Sequence, residues 1–467
     1  MTPALTHDLQ HLDDVLARTV DEALSILASL DHRPVAVAPG ARLSPEGLDE
    51  TGAGFAAALD RFNTRFAAGF SASAGPRYLG FVTGGVTPAA LAGDWLTSAW
   101  DQNPTSGLDS AAPDLERETL ACLRSLFGLS DAHGGAFVTG ATMANFVGLA
   151  LGREWIGERH GVRVAEQGAA ALGPVRILSG AAHSSIYKAA SMLGLGRSAV
   201  ATVPVLPERE AVDVAALDAR LAALHGEPCI VVANAGTVNT VDFDDLVAIA
   251  ALRERHPFWL HVDAAFGAFA AVSPEHAARV DGLDLADSIC IDAHKWLNVP
   301  YDAAMQFTRR TDLQLRVFMN SAAYLGDPGA RPDFVHLTPE NSRRLRALPT
   351  WFALRAYGRA GVQEIVRSCC RHAADLGDRI ARSGRFRLLA PVRMNVACFT
   401  LRDALPGAAG EAAVQDFVRR VRDGGELFIT PTVYQGHWGL RAAFSNWRTT
   451  AADVDRAWRA LEAAAPA

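Results

Sequence analysis

Lysine is almost missing from this chain. Of its 44 Lys and Arg residues only two are lysine, Lys188 and Lys295. Arginine replaces lysine in charge, solubility and most ion pairs. Its guanidinium stays protonated, however, and cannot act as a nucleophilic amine. A chain that has given up lysine nearly everywhere has reason to keep it where the amine itself reacts. Lys295, in Asp292-Ala293-His294-Lys295-Trp296 just past an apolar run, is the first candidate, while Lys188 reads as a solvated helix residue.

Other shortages narrow the classes further. The net charge is −7, with no basic block and no arginine stripe among aromatics, so no nucleic-acid partner is expected. No apolar run approaches the length of a membrane span. The N-terminal stretch lacks a cationic segment followed by an apolar core, so no secretory signal is expected. The six cysteines form no CxxC pair and read as reduced core thiols of a cytoplasmic protein. The 14 histidines show no HExxH spacing, and no metal site is expected. What is present is an ordinary globular composition, 49% hydrophobic and 20% charged. Spread over 467 residues, it suffices for two or three domains with a large core.

Leu9, Leu12, Leu16, Val20, Leu24 and Leu27 recur every three or four residues and predict an amphipathic helix over 9–30. Its apolar face needs its own domain or a second subunit to cover it. The middle of the chain alternates helical stretches with short runs rich in branched residues at 136–139, 175–178, 229–233, 258–262 and 288–291. Bounded by Gly, Pro, Asp or His, these runs predict buried strands of a mostly parallel, doubly wound α/β sheet. Residues 324–336 are aperiodic and rich in Gly and Pro, the pattern of a long loop or lid. From about 350 the pattern reads helix 351–383, strands 386–402, helix 411–422 and short strands 427–446, a smaller α+β domain. The expected division is an N-terminal helical segment, 1–85, packing on a partner subunit, a large domain, 86–346, and a small C-terminal domain, 347–467.

Ligands of such sheets bind beyond the carboxyl ends of the strands. Gly140-Ala141-Thr142 follow the first run, His183 the second, Asn234 the third and Asp263 the fourth; Asp292, His294 and Lys295 follow the fifth. Singly, each has an ordinary explanation as a turn, an N-cap or a strand-end cap. As a set they are what pyridoxal phosphate requires. Lys295 would form a Schiff base with its aldehyde, and Asp263 would keep the pyridine nitrogen protonated, so that the ring stabilises a carbanion. Gly140, Ala141 and Thr142, leading into a helix expected over 143–152, would hold the phosphate on N-terminal amides. His183 would lie on one ring face, and the small Ala265 leaves room on the other.

The segment Asp292-Ala-His-Lys-Trp-Leu-Asn-Val-Pro-Tyr301 resembles the cofactor-lysine motif of the group II pyridoxal-phosphate-dependent amino-acid decarboxylases, which include aromatic-L-amino-acid, histidine and glutamate decarboxylases. His261-Val-Asp-Ala-Ala-Phe-Gly267 matches the family's pyridine-nitrogen segment, His183-Ser-Ser-Ile-Tyr187 its ring-stacking segment, and 137–145 resembles its phosphate turn. The similarity runs from about 70 to 460. It implies a fold type I enzyme with a large and a small domain, homodimeric, with the active site at the subunit interface. The implied reaction is decarboxylation of an L-amino acid to an amine. Asn234, Asp292 and His294, delivered to the same rim by the strand ends, are further candidate cofactor contacts, and the resemblance implies substrate contacts from 78–81, from 100–108 and from the loop. Phe81 and Trp100 favour an aromatic or apolar substrate.

One departure stands out. Relatives of the aromatic type carry a loop tyrosine that donates the proton to the substrate Cα. Counting back from Arg343-Arg344 without gaps puts Phe334 there. Within the family, phenylalanine at this place goes with aldehyde-forming enzymes, in which the carbanion reacts with dioxygen. Tyr324 and His336 are the alternative donors. Aldehyde formation therefore stays open beside simple decarboxylation. So does an aminotransferase or other lyase, for which Arg441 would clamp the carboxylate, although a place on a small-domain strand explains Arg441 as well. A non-catalytic relative is the third alternative, against which the intact Lys295 and Asp263 argue.

Overall fold

The computed structural model describes residues 2–38, 40, 43–320 and 331–466. The N-terminal pattern folds as two helices rather than one, α1 (Pro3–Gln10) and α2 (Leu12–Ser29), because the backbone leaves the helical region at His11 (φ −121°, ψ 37°). Asp8 of α1 accepts the Phe55 N–H at 3.0 Å, at the first turn of α3 (Gly54–Arg65). The apolar stripe stays uncovered: Leu9, Leu12, Leu16 and Leu24 are 49–59% exposed.

The five predicted runs become strands, and two more complete the larger sheet. The strands are β1 (Gly134–Val138), β2 (Ile177–Ser179), β3 (Val200–Thr202), β4 (Cys229–Asn234), β5 (Phe258–Asp263), β6 (Ser288–Asp292) and β7 (Ala304–Thr308). Their order is β1-β7-β6-β5-β4-β2-β3. All pairs from β3 to β6 are parallel, and β7 lies antiparallel between β6 and β1. β4 to β7 are buried along their whole length. Their alternating side chains feed two cores, Val231, Leu260 and Ile291 on one face and Ile230, Trp259 and Cys290 on the other. Helix α4 (Pro88–Trp100) and helix α5 (Ala112–Phe127) pack on the long helix Ala347–Arg382, which turns at Gly358 (φ 59°).

Helix α6 (Ala141–His160) crosses the second face, over β4 to β7. It comes very close: a Cβ on Gly148 would lie 2.4 Å from the His261 ring, so only glycine fits there.

The second sheet is antiparallel, ordered β10-β11-β9-β8, from β8 (Phe386–Leu388), β9 (Val396–Leu401), β10 (Thr430–Tyr434) and β11 (His437–Ala443). The segment 79–87 ties the two sheets together. Leu79 donates to the Phe428 carbonyl and accepts from Ala443, both at 2.9 Å, and Gly84 donates to the His294 carbonyl at 3.3 Å. A Cβ on Gly84 would stand 1.9 Å from the Lys295 carbonyl, so any side chain there would displace the Lys295 turn.

Candidate active site

Because β4, β5 and β6 are adjacent and parallel, their last residues finish side by side, with Asn234 opposite Asp263 and Asp263 opposite Cys290. A single helical turn, Ala293–Trp296, follows β6 directly and carries Lys295 back over the rim. A cavity of about 510 Å³ opens there, within the usual size of small-molecule clefts. Of the predicted site residues, Ala141, His183, Asn234, Asp263, Ala265, His294 and Lys295 line it.

Asp292 sits behind the wall, 1% exposed. It accepts the Ala141 N–H at 3.2 Å and lies 4.0 Å from Lys295 Nζ. Its other oxygen is 2.8 Å from His294 Nδ1, without the alignment of a hydrogen bond. Gly140 is the N-cap of α6, which begins at Ala141, two residues earlier than expected, and runs on to His160. Thr142 is the second residue of that helix and half-buried.

The two described candidates for proton donation to the substrate, Phe334 and His336, are not brought to the cavity. Phe334 is 2% exposed and packs beneath two guanidinium groups, Arg343 at 4.8 Å and Arg117 at 5.2 Å from its ring centre. Its own chain covers it, and the position obtained by ungapped counting does not line the cavity. His336, the alternative donor, is also buried, and its Nδ1 accepts from the Asn320 N–H at 3.2 Å. Tyr324 lies outside the described residues.

Asp263 receives the Asn145 side-chain amide at 2.9 Å on one oxygen and the Ala265 N–H at 3.3 Å on the other. His183 is open to the cavity but ringed by protein. That crowding, reinforced by Lys295 and Arg441, lowers its pKa against the pull of Asp263, which keeps the ring neutral. Asn234 is held by Asp244, which accepts both its backbone N–H (2.7 Å) and its side-chain amide (3.3 Å). Burial pushes the Asp244 carboxyl up to about 6.

Several residues at the site were not among the predicted cofactor contacts. Tyr301 lines the cavity with its ring 4.3 Å from His294. Arg441, on β11, also reaches the cavity. It donates to the Val238 carbonyl and has no acidic partner among the described residues. Asn145, Ser185, His261 and Ser288 form hydrogen bonds behind the wall. Spacing could have pointed to two of them: Asn145 lies one helical turn beyond Ala141, and His261 precedes Asp263 by two along a strand and so shares its face.

The donor set suits pyridoxal phosphate. It contains one amine, a carboxylate already oriented by amide donors, a helix N-terminus, and the small Ala265, 7% exposed, beside Asp263. Fold and rim together define a fold type I α/β protein. The chain belongs to the pyridoxal-dependent decarboxylase family: residues 41–402 match that family's conserved domain.

Among curated relatives, the histidine decarboxylase of Drosophila melanogaster is 30% identical over 79% of this chain and 44% of its own length. Tryptophan decarboxylase 1 of Oryza sativa subsp. japonica is 27% identical over 96% of this chain and 93% of its own. The chain spans only about half the length of the first curated relatives it matches, 44% to 58%. The structure of Oryza sativa TDC with PLP and tryptamine superposes with a TM-score of 0.89 at 25% identity, covering 99% of both chains.

Proposed function

We propose that this chain removes the α-carboxylate of an L-amino acid as carbon dioxide, leaving an amine, with pyridoxal phosphate held at Lys295. The observation that carries this reading is a cavity lined by one amine, Lys295, and by the Asp263 carboxylate from the end of the neighbouring strand. When bound, pyridoxal phosphate supplies an electrophilic aldehyde and a ring that takes up the electron pair left by the departing carboxylate. The chain's own residues do the rest. Lys295 Nζ retains the cofactor between turnovers. Asp263 holds a proton on the ring nitrogen. Gly140, Ala141 and Thr142, at the start of α6, receive the phosphate. His183, Asn234, Ala265, Asp292 and His294 position the ring. Arg441 supplies positive charge that draws in a carboxylate.

Tyr78, Phe81, Val82 and Phe266 give the cavity an apolar side, which supports an aromatic or apolar amino acid. A second copy of the chain supports the same reading. The stripe on α1 and α2 is uncovered, and Trp100 and Leu108 are 67% and 80% exposed, as they would be if a partner completed the site and packed on the segment 1–85. Among the described residues no helix is long and apolar enough to cross a membrane. All six cysteines are unpaired, which supports a reducing, cytoplasmic setting. Aldehyde formation is not favoured, since its ground, Phe334, lies outside the cavity.

Borohydride treatment followed by digestion should leave a pyridoxyl tag on Lys295. A panel of L-amino acids should then release carbon dioxide with the matching amine. A tag on Lys188, or carbon dioxide accompanied by aldehyde and peroxide, overturns the proposal.

A further inference from the structure

Behind the cavity wall runs one connected series of hydrogen bonds. The Trp259 indole N–H donates to Ser288 Oγ at 2.9 Å, and Ser288 Oγ lies 2.8 Å from His261 Nδ1. His261 Nε2 lies 2.8 Å from Asn145 Oδ1. The Asn145 amide nitrogen then donates twice, to Asp263 Oδ2 and to Ser185 Oγ, each at 2.9 Å. Ser185 Oγ ends the series 2.8 Å from His183 Nδ1. Trp259, Ser288, His261, Asn145 and Ser185 are all at most 4% exposed, so no bulk water substitutes for a missing partner.

The chemistry of each group fixes where every proton sits. An indole only donates and an amide oxygen only accepts, so His261 carries its proton on Nε2. Burial pushes the His261 pKa down to about 4, so the ring is neutral and Nδ1 is bare. Ser288 must then give its hydroxyl proton to Nδ1. Turning the Asn145 amide over would set its oxygen against the Asp263 carboxylate, two acceptors 2.9 Å apart. That arrangement is excluded, so both amide protons are committed to Asp263 and Ser185. Ser185 Oγ, already accepting from Asn145, has its own proton free for His183 Nδ1. The Ser185 backbone N–H adds a second donor to the same nitrogen at 3.3 Å.

We propose that Asn145 is a positioning residue that serves two cavity groups at once: it holds Asp263 as a carboxylate and, through Ser185, sets His183 as the neutral tautomer protonated on Nε2. This rests on the reading of Asp263 and His183 as the residues around the cofactor ring. Its use there is electrostatic. Asp263 favours a protonated ring nitrogen, and an imidazolium at position 183 would place a second cation beside it and oppose that protonation. Committing His183 Nδ1 to accepting removes that competitor and leaves the Nε2–H as the polar edge available to the cavity.

The test reads the ring nitrogens of His183 directly. Protein labelled with ¹⁵N at histidine, stripped of cofactor, should show a bare Nδ1 and a protonated Nε2 at His183. Ser185→Ala leaves the Asn145–Asp263 contact in place and should shift the tautomer ratio at His183 by about tenfold, the weight of one hydrogen bond. Asn145→Leu should do the same and should also weaken the retention of a proton by the bound ring nitrogen, seen as an altered pH titration of the cofactor's visible band. Should Asn145→Leu fail to fold, Ser185→Ala carries the test alone. A wild-type His183 protonated on Nδ1, or an unchanged ratio in a folded Ser185→Ala protein, overturns the inference. Because the tautomer is read without cofactor, a failed borohydride tag would sink the proposed function and leave this result standing.

Discussion

Asp263 and Asp292 end neighbouring parallel strands and are 7% and 1% exposed, yet they are wired differently. Asp263 faces the cavity, takes a side-chain amide on one oxygen, and has a hydrogen-bonded relay behind it. Asp292 takes the first backbone N–H of α6 on one oxygen, while its other oxygen makes no hydrogen bond. A carboxylate oriented by donors and open to a cleft is built to meet a ligand. A carboxylate that caps a helix and sits 4.0 Å from an ammonium is built to hold the first turn of α6 and the Lys295 turn in register. One residue type at the ends of adjacent strands thus serves two purposes, and environment decides which.

The largest effect should come from the amine that lines the cavity with Asp263 and lies 4.0 Å from Asp292. Lys295→Ala should abolish both turnover and the borohydride-stable label, because the cavity lining offers no second amine; Lys188 is exposed and outside the cavity. Next, Asp263→Ala should keep the label at Lys295 while lowering turnover on the order of 100-fold or more, since an electrostatic partner of the reacting ring is gone. Asp292→Ala should show the reverse emphasis. It frees the Ala141 N–H and should cost about 1–3 kcal/mol of stability in urea unfolding, with a smaller loss of turnover than Asp263→Ala. If the two alanine variants lose activity equally, the division of labour between the two carboxylates is wrong.

A subtler difference lies in pH. Only Asp263 has a buried histidine in its relay. His261 titrates at about 4 in the fold and near 6.5 when unfolded. As pH falls from 6.5 to 4 the unfolded chain binds this proton first, so the stabilisation is complete above 6.5 and lost progressively below it. Asp244 acts in the opposite sense: its folded value, about 6, exceeds its ordinary 3.8, so its contribution to stability declines as pH rises between those values. Unfolding midpoints from pH 4 to 7 should therefore rise less steeply with pH in His261→Gln than in the wild type, and more steeply in Asp244→Asn. Parallel profiles in all three proteins would refute both assignments.

The rim was legible because short runs rich in branched and aromatic residues, such as 229–233 and 258–262, read as buried strands, and residues after parallel strands share one end. β7 was not, since Gln306 and Thr308 interrupt its apolar character. Nor was the break at His11, because Leu9 and Leu12 keep helical spacing across it. The relay was hidden for a different reason: Asn145 and Asp263 are 118 residues apart, and nothing local records that they meet.

Phe334 is the clearest failure of counting along the chain, and it yields the prediction with the smallest chemical effect. Ungapped alignment treats 334–344 as a rigid ruler. In the fold this stretch is organised by Arg343, whose guanidinium forms a fully buried pair with Glu116 at 2.9 Å and donates to the carbonyls of Phe137 and Pro104. Phe334 fills the space beneath that guanidinium and Arg117, a cation–π arrangement that needs an apolar ring face. Phe334→Tyr therefore adds a hydroxyl to a buried site without delivering it to the cavity. The ratio of amine to aldehyde should not change, while stability should fall by about 1–3 kcal/mol if the hydroxyl finds no acceptor. A product ratio that moves with this substitution would mean that the ring reaches a substrate after all, and that the contrast between Asp263 and Asp292 omits a third group acting at the same carbon.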